Sequence, residues 1–314
     1  MQPPRDETLR TLLGDLYPVD SSGDGQELSS QLLQILSESS GDGDMAEHID
    51  RCDGRDVVLI TYADTIGEQG FPGLQSLKTF VNRHLQLFAA VIHVLPFLES
   101  TSDGGFAVAS HTTLEPRFGD WSDLAALAQG RRLMADLVLN HVSASHPWVQ
   151  QFMRDEQPGR SCVLEAAPDP CWADVVRPRS SNLFTQLRGP VGARQVWTTF
   201  GPDQVDLNWR SAEVLLGFAR LMQRMARHGV RWIRLDAVGF VWKEPHTSCI
   251  HLPQAHQMVR VLRLLLDQRL FEAGGASTKP WYLFSSNASN EWLEVYATSV
   301  FELKELVSIY ENRN

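Results

Sequence analysis

Apolar and polar positions along the chain follow two alternating periods. Val57 to Tyr62, Ala89 to Leu95, Arg132 to Val138 and Val230 to Asp236 are short apolar runs of strand length. Between them, Leu74 to Leu87, Leu124 to Gln129, Leu215 to His228 and His256 to Leu270 repeat apolar residues at the helical period. Pro96 ends the second run, and Trp281 to Phe284 predicts a fifth strand. Strand, helix, strand in succession predicts a parallel sheet with right-handed crossovers.

Polar residues close the strands at one end. Asp64, Glu99, Asn140-His141 and Asp236 all fall at predicted carboxyl ends, the face where ligands collect in barrels and open sheets alike. The stretch from Ser143 to Trp209, rich in Pro, Arg, Trp and Asp, interrupts the alternation. It is expected to be a loop-rich insertion over that face. Residues 1–50 differ again, with helical stretches near 6–16 and 26–37 separated by Ser21-Ser22-Gly23-Asp24-Gly25 and followed by a polar linker from Ser39 to Asp44. They read as a helical preamble docked on the main body.

Residues 229–240, Gly-Val-Arg-Trp-Ile-Arg-Leu-Asp-Ala-Val-Gly-Phe, carry the most chemistry. Arg234 and Asp236 stand two apart on one strand and so share a face. A strand does not bury an Arg and an Asp unless both are hydrogen-bonded. A neighbouring Arg is expected to keep the carboxylate ionised. An ionised carboxylate at a strand's carboxyl end suits a covalent glycosidic mechanism. On this segment alone, a structural Arg–Asp pair inside an α/β protein is the alternative.

Composition narrows the classes. The 314 residues allow one large domain or two modest ones. A net charge of −10 argues against a general nucleic-acid or anionic-membrane surface. Cys52, Cys162, Cys171 and Cys249 form no Cys-x-x-Cys pair and match no zinc spacing, so reduced thiols are expected. His246, His251 and His256 are spaced by five, which is not the zinc-helix interval, so no metal or other cofactor is expected. The glycines of residues 21–25 precede no strand–helix unit and lack the lysine of a phosphate loop. The polar start lacks a signal-peptide core, and no apolar stretch reaches membrane-spanning length, so a cytoplasmic protein is expected.

Eight stretches in order resemble glycoside hydrolase family 13, the α-amylase clan. They are ITYAD (60–64), VLPF (94–97), SDGGFAV (102–108), FGDW (118–121), DLVLNHVS (136–143), VRPR (176–179), VWTTFGPDQVDLNW (196–209) and IRLDAVGFVWKE (233–244). Within the clan they resemble the sucrose phosphorylase branch, and TSCIHLPQAH (247–256) is similar to its members acting on phosphorylated or glycerate-bearing glucosides. The resemblance implies an α/β fold of the (β/α)8 TIM-barrel type, here incomplete with about five strands, and an inserted domain after strand three. The expected organisation is residues 1–50 as the helical segment, 51–142 and 210–314 as the partial barrel, and 143–209 as the insertion. The implied reaction is retaining phosphorolysis of an α-glucoside (sucrose, sucrose 6-phosphate or glucosylglycerate) to glucose 1-phosphate. The partners would be the glucoside and inorganic phosphate.

The resemblance also implies roles. Asp236 matches the nucleophile and Arg234 the arginine that orients it. His141 and Asp64 match donor-subsite sugar ligands. Phe200 matches a gating aromatic and Gln204 a sugar contact. Arg177 and Arg179 are candidate phosphate contacts, since guanidinium forks suit phosphate oxygens. Three departures accompany the match. Ser285 in YLFSSN (282–287) falls where the family has its acid/base Glu, with Glu291 and Glu294 the nearest acids. Ser110-His111 stands where the family has Asp-Tyr, whose tyrosine stacks on the sugar. The third carboxylate and strands six to eight have no counterpart before Asn314, and the helix-like run from Val300 to Tyr310 follows no family pattern. The expectation is a truncated or frame-altered relative of weak or absent activity, open at two sheet edges and prone to self-association. A non-catalytic sugar-binding remnant is the alternative, and a plain hydrolase of the clan is the third reading.

Overall fold

The computed structural model describes residues 5–18, 25–37, 57–85, 90–272 and 282–285. Both polar linkers of the N-terminal region, Glu291, Glu294 and the run from Val300 to Tyr310 lie outside the described residues. In chain order come α1 (Arg5–Leu16), α2 (Gly25–Ser37), β1 (Val58–Thr61), α3 (Gly73–His84), β2 (Val91–Val94), α4 (Trp121–Leu127) and β3 (Arg132–Val138). Then follow β4 (His141–Ser143), α5 (Pro147–Phe152), α6 (Gly159–Cys162), β5 (Phe184–Gly189), β6 (Gly192–Trp197) and β7 (Gln204–Asp206). The order closes with α7 (Ala212–Arg227), β8 (Val230–Asp236), α8 (Pro253–Glu272) and β9 (Tyr282–Ser285).

The sheet is parallel throughout, in the order β1-β2-β3-β8-β9. Helices fill the crossovers because their apolar stripes need a sheet face to cover. On α7, Val214, Leu215, Phe218, Leu221, Met222 and Met225 are all buried. On β8, Ile233 and Leu235 point into this main core. Trp232 points the other way and packs with Val91 and Met134 in a second, small cluster. Arg234 and Asp236 follow Trp232 on that same inward face.

The two N-terminal helices are part of the body. Leu9, Leu13 and Leu32 are fully buried and belong to one core with Met258 and Leu262 of α8. Each such leucine is worth about 1.5–3 kcal/mol of burial. Gln223 on α7 donates its amide to the Ile35 carbonyl.

The stretch read as loop-rich holds more order than its composition suggests. β4 pairs antiparallel with β7, and β5 with β6 forms a hairpin. Among the described residues, β1 and β9 are the outer strands of the sheet. Val57 and Ile60 at the β1 edge are 52% and 44% exposed. No helix among the described residues is long and apolar enough to cross a membrane.

Candidate active site

Two tight turns bring polar groups together at the carboxyl ends of the strands. β8 stops at Asp236 because Ala237 adopts a left-handed conformation, φ 54° and ψ 21°. A non-glycine residue there is uncommon, and such strain concentrates at functional sites. After β2, Asp103, Gly104 and Gly105 have φ of 55°, 63° and 102° in succession. A Cβ on Gly104 would lie 2.8 Å from the Tyr62 hydroxyl, and one on Gly105 would lie 2.7 Å from Pro96 Cβ. Only glycines let this loop lie flat against the strand ends, which aims Asp103 at Asp236.

The result is a cavity of about 480 Å³. Asp236, Arg234, His141, Phe200 and Arg179 line it, with Asp103, Tyr62 and Phe106. Arg234 Nη2 donates to Asp236 Oδ1 at 3.1 Å, while its Nη1 donates to Asp136. Asp136 is fully enclosed and takes His93 Nε2 on its other oxygen at 2.8 Å. Arg179 pairs with Asp103 at 3.0 Å. Gln204 Nε2 donates to Asp103 Oδ2 at 2.9 Å and faces His141 Nε2 at 3.1 Å. An amide nitrogen only donates, so His141 Nε2 accepts.

Burial decides the charge states. Arg234 bears on Asp236 as expected and favours its ionised form, but it does not hold the carboxyl at its ordinary value. Burial pushes Asp236 up to about 6, against the Arg234 guanidinium, with Asp136 and Asp103 adding repulsion. Desolvation therefore outweighs one shared guanidinium. Asp236 is still mostly ionised at pH 7, with its proton affinity close to neutrality. His141 is pushed down to about 4, chiefly by burial, so its ring is neutral and hydrogen-bonds without charge.

Several expected site residues sit elsewhere. Asp64 is exposed and pairs with Arg117 at 3.0 Å instead of lining the cavity. The chain turns directly after β1, with Thr65 N bonded to Tyr62 O, so Tyr62 faces the cavity and Asp64 swings out. Arg177 is exposed and does not line the cavity either. Gln204 is buried behind the wall, holding His141 and Asp103, so its placement is that of a support, not of a sugar contact. His111 packs between His146, Trp148 and Phe218 and offers no stacking face to this cavity. Glu99 accepts from Thr113 Oγ1 at 2.9 Å on the surface. Sequence reasoning misses Asp103, Tyr62 and Phe106. The Asp-Gly-Gly triplet is the available signal for Asp103, since those residue types tolerate successive left-handed positions.

The arrangement offers one carboxylate of raised proton affinity, two guanidinium groups, a neutral imidazole and three aromatic side chains. Groups of these kinds are chemically suited to hydrogen-bond polyol hydroxyls and to present an anionic oxygen to an electron-poor carbon. Residues 84–304 match the family described as Alpha amylase, catalytic domain, and the chain belongs to that family. Among curated relatives, the glucosylglycerate phosphorylase of Allomeiothermus silvanus is 46% identical over 213 residues, covering 68% of this chain and 38% of the relative. That of Escherichia coli K12 is 38% identical over 217 residues, covering 68% and 39%. The sucrose phosphorylase of Agrobacterium vitis is 34% identical over 218 residues, covering 66% and 44%. The chain thus spans less than half the length of these relatives. The crystal structure of sucrose 6F-phosphate phosphorylase from Thermoanaerobacter thermosaccharolyticum superimposes with a TM-score of 0.64 at 24% identity, covering 70% of this chain and 47% of that one. Trehalulose synthase MutB gives 0.63 at 18% identity, covering 78% and 47%. These likenesses define the fold: the parallel sheet is part of a (β/α)8 barrel, incomplete among the described residues.

Proposed function

We propose that the chain carries the glucosyl-binding and nucleophilic half of a retaining α-glucoside phosphorylase. Asp236 Oδ attacks the anomeric carbon, and the bond from that carbon to the leaving oxygen breaks, its electron pair departing with the acceptor. Inorganic phosphate then attacks the same carbon and releases the Asp236 carboxylate, giving glucose 1-phosphate with retention. Arg234 aligns Asp236, His141 and Asp103 bind sugar hydroxyls, and Phe200 closes over the ring. Arg179, held by Asp103 and 49% exposed, is the cation available to phosphate. The observation that carries the reading is the Asp236–Arg234 pair at the floor of a cavity otherwise lined by hydrogen-bonding and aromatic groups.

Glucosylglycerate is the favoured donor, since relatives at 46%, 38% and 34% identity bear that specificity in their names. Free thiols at Cys162, Cys171 and Cys249 fit a reducing, cytoplasmic setting. The proposed division keeps 143–209 as the insertion that supplies Arg179, Phe200 and Gln204 to the barrel's mouth.

One observation favours a second reading, a sugar-binding protein without turnover. Ser285 ends β9 beside Leu235, where the resemblance places the acid/base Glu. Lack of that acid costs about 10²–10⁴-fold for a poor leaving group. The test compares purified protein with glucosylglycerate, sucrose and α-glucosyl fluoride, each with phosphate. Glucose 1-phosphate is expected from the fluoride, which departs without protonation, and only slowly from the natural glucosides. Asp236→Asn should abolish both. Sugar binding with no product even from the fluoride supports the non-catalytic reading instead.

A further inference from the structure

A line of four side chains on three neighbouring strands runs from the buried core to Asp236 at the cavity. It begins at His93 on β2, which is 2% exposed. His93 Nε2 lies 2.8 Å from Asp136 Oδ2. Asp136 Oδ1 accepts from Arg234 Nη1. Arg234 Nη2 reaches Asp236 Oδ1 at 3.1 Å. An ionised carboxylate only accepts, so the hydrogen between the first two lies on His93 Nε2. His93 Nδ1 is buried with no partner among the described residues. The ring therefore commits Nε2 to Asp136 while Nδ1 stays without a partner among the described residues, an arrangement that packing alone does not ask for.

We propose that His93 is a positioning residue: by occupying one oxygen of Asp136 it leaves Arg234 a single bond to make there, and so frees the guanidinium's second arm for Asp236. Without the imidazole, Asp136 Oδ2 is a charged oxygen with no donor in a sealed site. An unmet buried charge draws the nearest donor strongly, and that donor is Arg234. The guanidinium then turns inward to a two-pronged grip on Asp136, which is its preferred geometry with a carboxylate. Asp236 keeps its burial and loses its cation. The groups that bear on Asp236 are Arg234 on its own strand, Asp136 from β3, and Asp103 with its partner Arg179 from the loops over the site. His141 lines the same cavity. The consequence for glucosyl transfer rests on the reading of Asp236 as nucleophile, whereas the ordering of hydrogen bonds does not.

The test is a carboxyl ¹³C NMR titration of Asp236, its signal assigned by its loss in Asp236→Asn. His93→Leu fills the space without a donor, and His93→Gln places an amide near the Nε2 position. The Asp236 midpoint is expected to rise by about one pH unit in His93→Leu, a tenfold loss of ionised form in the titrating range, and to return toward the wild-type value in His93→Gln. A midpoint that stays or falls in a folded His93→Leu protein overturns the proposal, as does failure of Gln to restore it. Should His93→Leu not fold, His93→Asn, whose shorter amide does not reach Asp136, takes its place with the same expectation. Covalent labelling of Asp236 by α-glucosyl fluoride is measured alongside. Absence of labelling in the wild type defeats the nucleophile reading, while the titration still judges His93.

Discussion

Asp206 and Asp236 each face a cation inside this protein, and their surroundings differ. Asp206 is sealed at the base of the insertion. Lys243 Nζ lies 2.6 Å from its Oδ2, and Thr199 donates a backbone N–H at 2.9 Å and a hydroxyl at 2.6 Å. Lys243 spends its remaining donors on Asn140 Oδ1 and the Phe240 carbonyl, both at 2.6 Å. Every charge there is met by several partners, and the cluster ties β7 to the segments following β3 and β8. Asp236 shares one guanidinium with Asp136, looks into an open cavity and is pushed up toward neutrality. The first arrangement fixes a shape, and the second holds an under-compensated charge where a ligand can reach it. Perturbed proton affinity in a cleft, beside a named partner, is a mark of chemistry rather than of architecture.

The comparison is most severely tested at Lys243. Lys243→Met leaves Asp206 buried and unpaired, and a loss of about 3–5 kcal/mol is expected in urea unfolding. An unchanged midpoint would mean that the cluster is not the staple described.

Asp236→Asn should act in the opposite sense. A carboxyl whose folded value is raised binds its proton more tightly in the native than in the unfolded state. The native state is therefore favoured as pH falls through about 6 toward the ordinary carboxylate value near 3.8. Above pH 6 the buried charge costs stability, about 1.4 kcal/mol for each pH unit that separates the folded and unfolded midpoints. Asp236→Asn should thus raise the melting temperature at pH 7.5, lose most of that advantage by pH 4.5 and lose the rest only below the ordinary carboxylate value near 3.8. Equal effects at both pH values would show that Asp236 is not held above its ordinary range.

Asp103→Ala releases Arg179 and Gln204 together. A smaller effect is expected, a loss of glucose affinity of about tenfold, as for one charge-assisted hydrogen bond of roughly 1.5–3 kcal/mol partly replaced by water. Isothermal titration with glucose measures it. The smallest effect belongs to Asp64→Asn, since an exposed pair with Arg117 contributes about 0–1 kcal/mol. Both its stability and its sugar affinity should match the parent, and a loss of affinity would return Asp64 to the site.

Where sequence and structure agree, the reason is local. β8 runs from Val230 to Asp236 as expected, because an apolar run bounded by Gly229 and a terminal carboxylate leaves little choice of register. α7 and α8 are legible from their periodicity, and the two N-terminal helices from theirs. Where they part, the deciding contacts are distant in sequence. β4 and β7 are three residues each and exist by pairing His141 with Asp206 and Ser143 with Gln204. No three-residue periodicity announces such a strand. Counting from a strand end puts Asp64 in the site, whereas the turn at Tyr62 and the pull of Arg117 decide where it points. The sequence pairs Arg234 with one carboxylate because Asp136 is 98 residues away, and the sharing that leaves Asp236 under-compensated is visible only in three dimensions.

The proposed function rests on Asp236 forming a covalent bond to a glucosyl group. Mass mapping of peptides after brief exposure to α-glucosyl fluoride, without phosphate, tests it most directly. The account predicts one hexosyl increment on the peptide containing Asp236, removed by adding phosphate and absent in Asp236→Asn. An unmodified Asp236 peptide in folded protein that binds glucose, or an increment on any other residue, would contradict it.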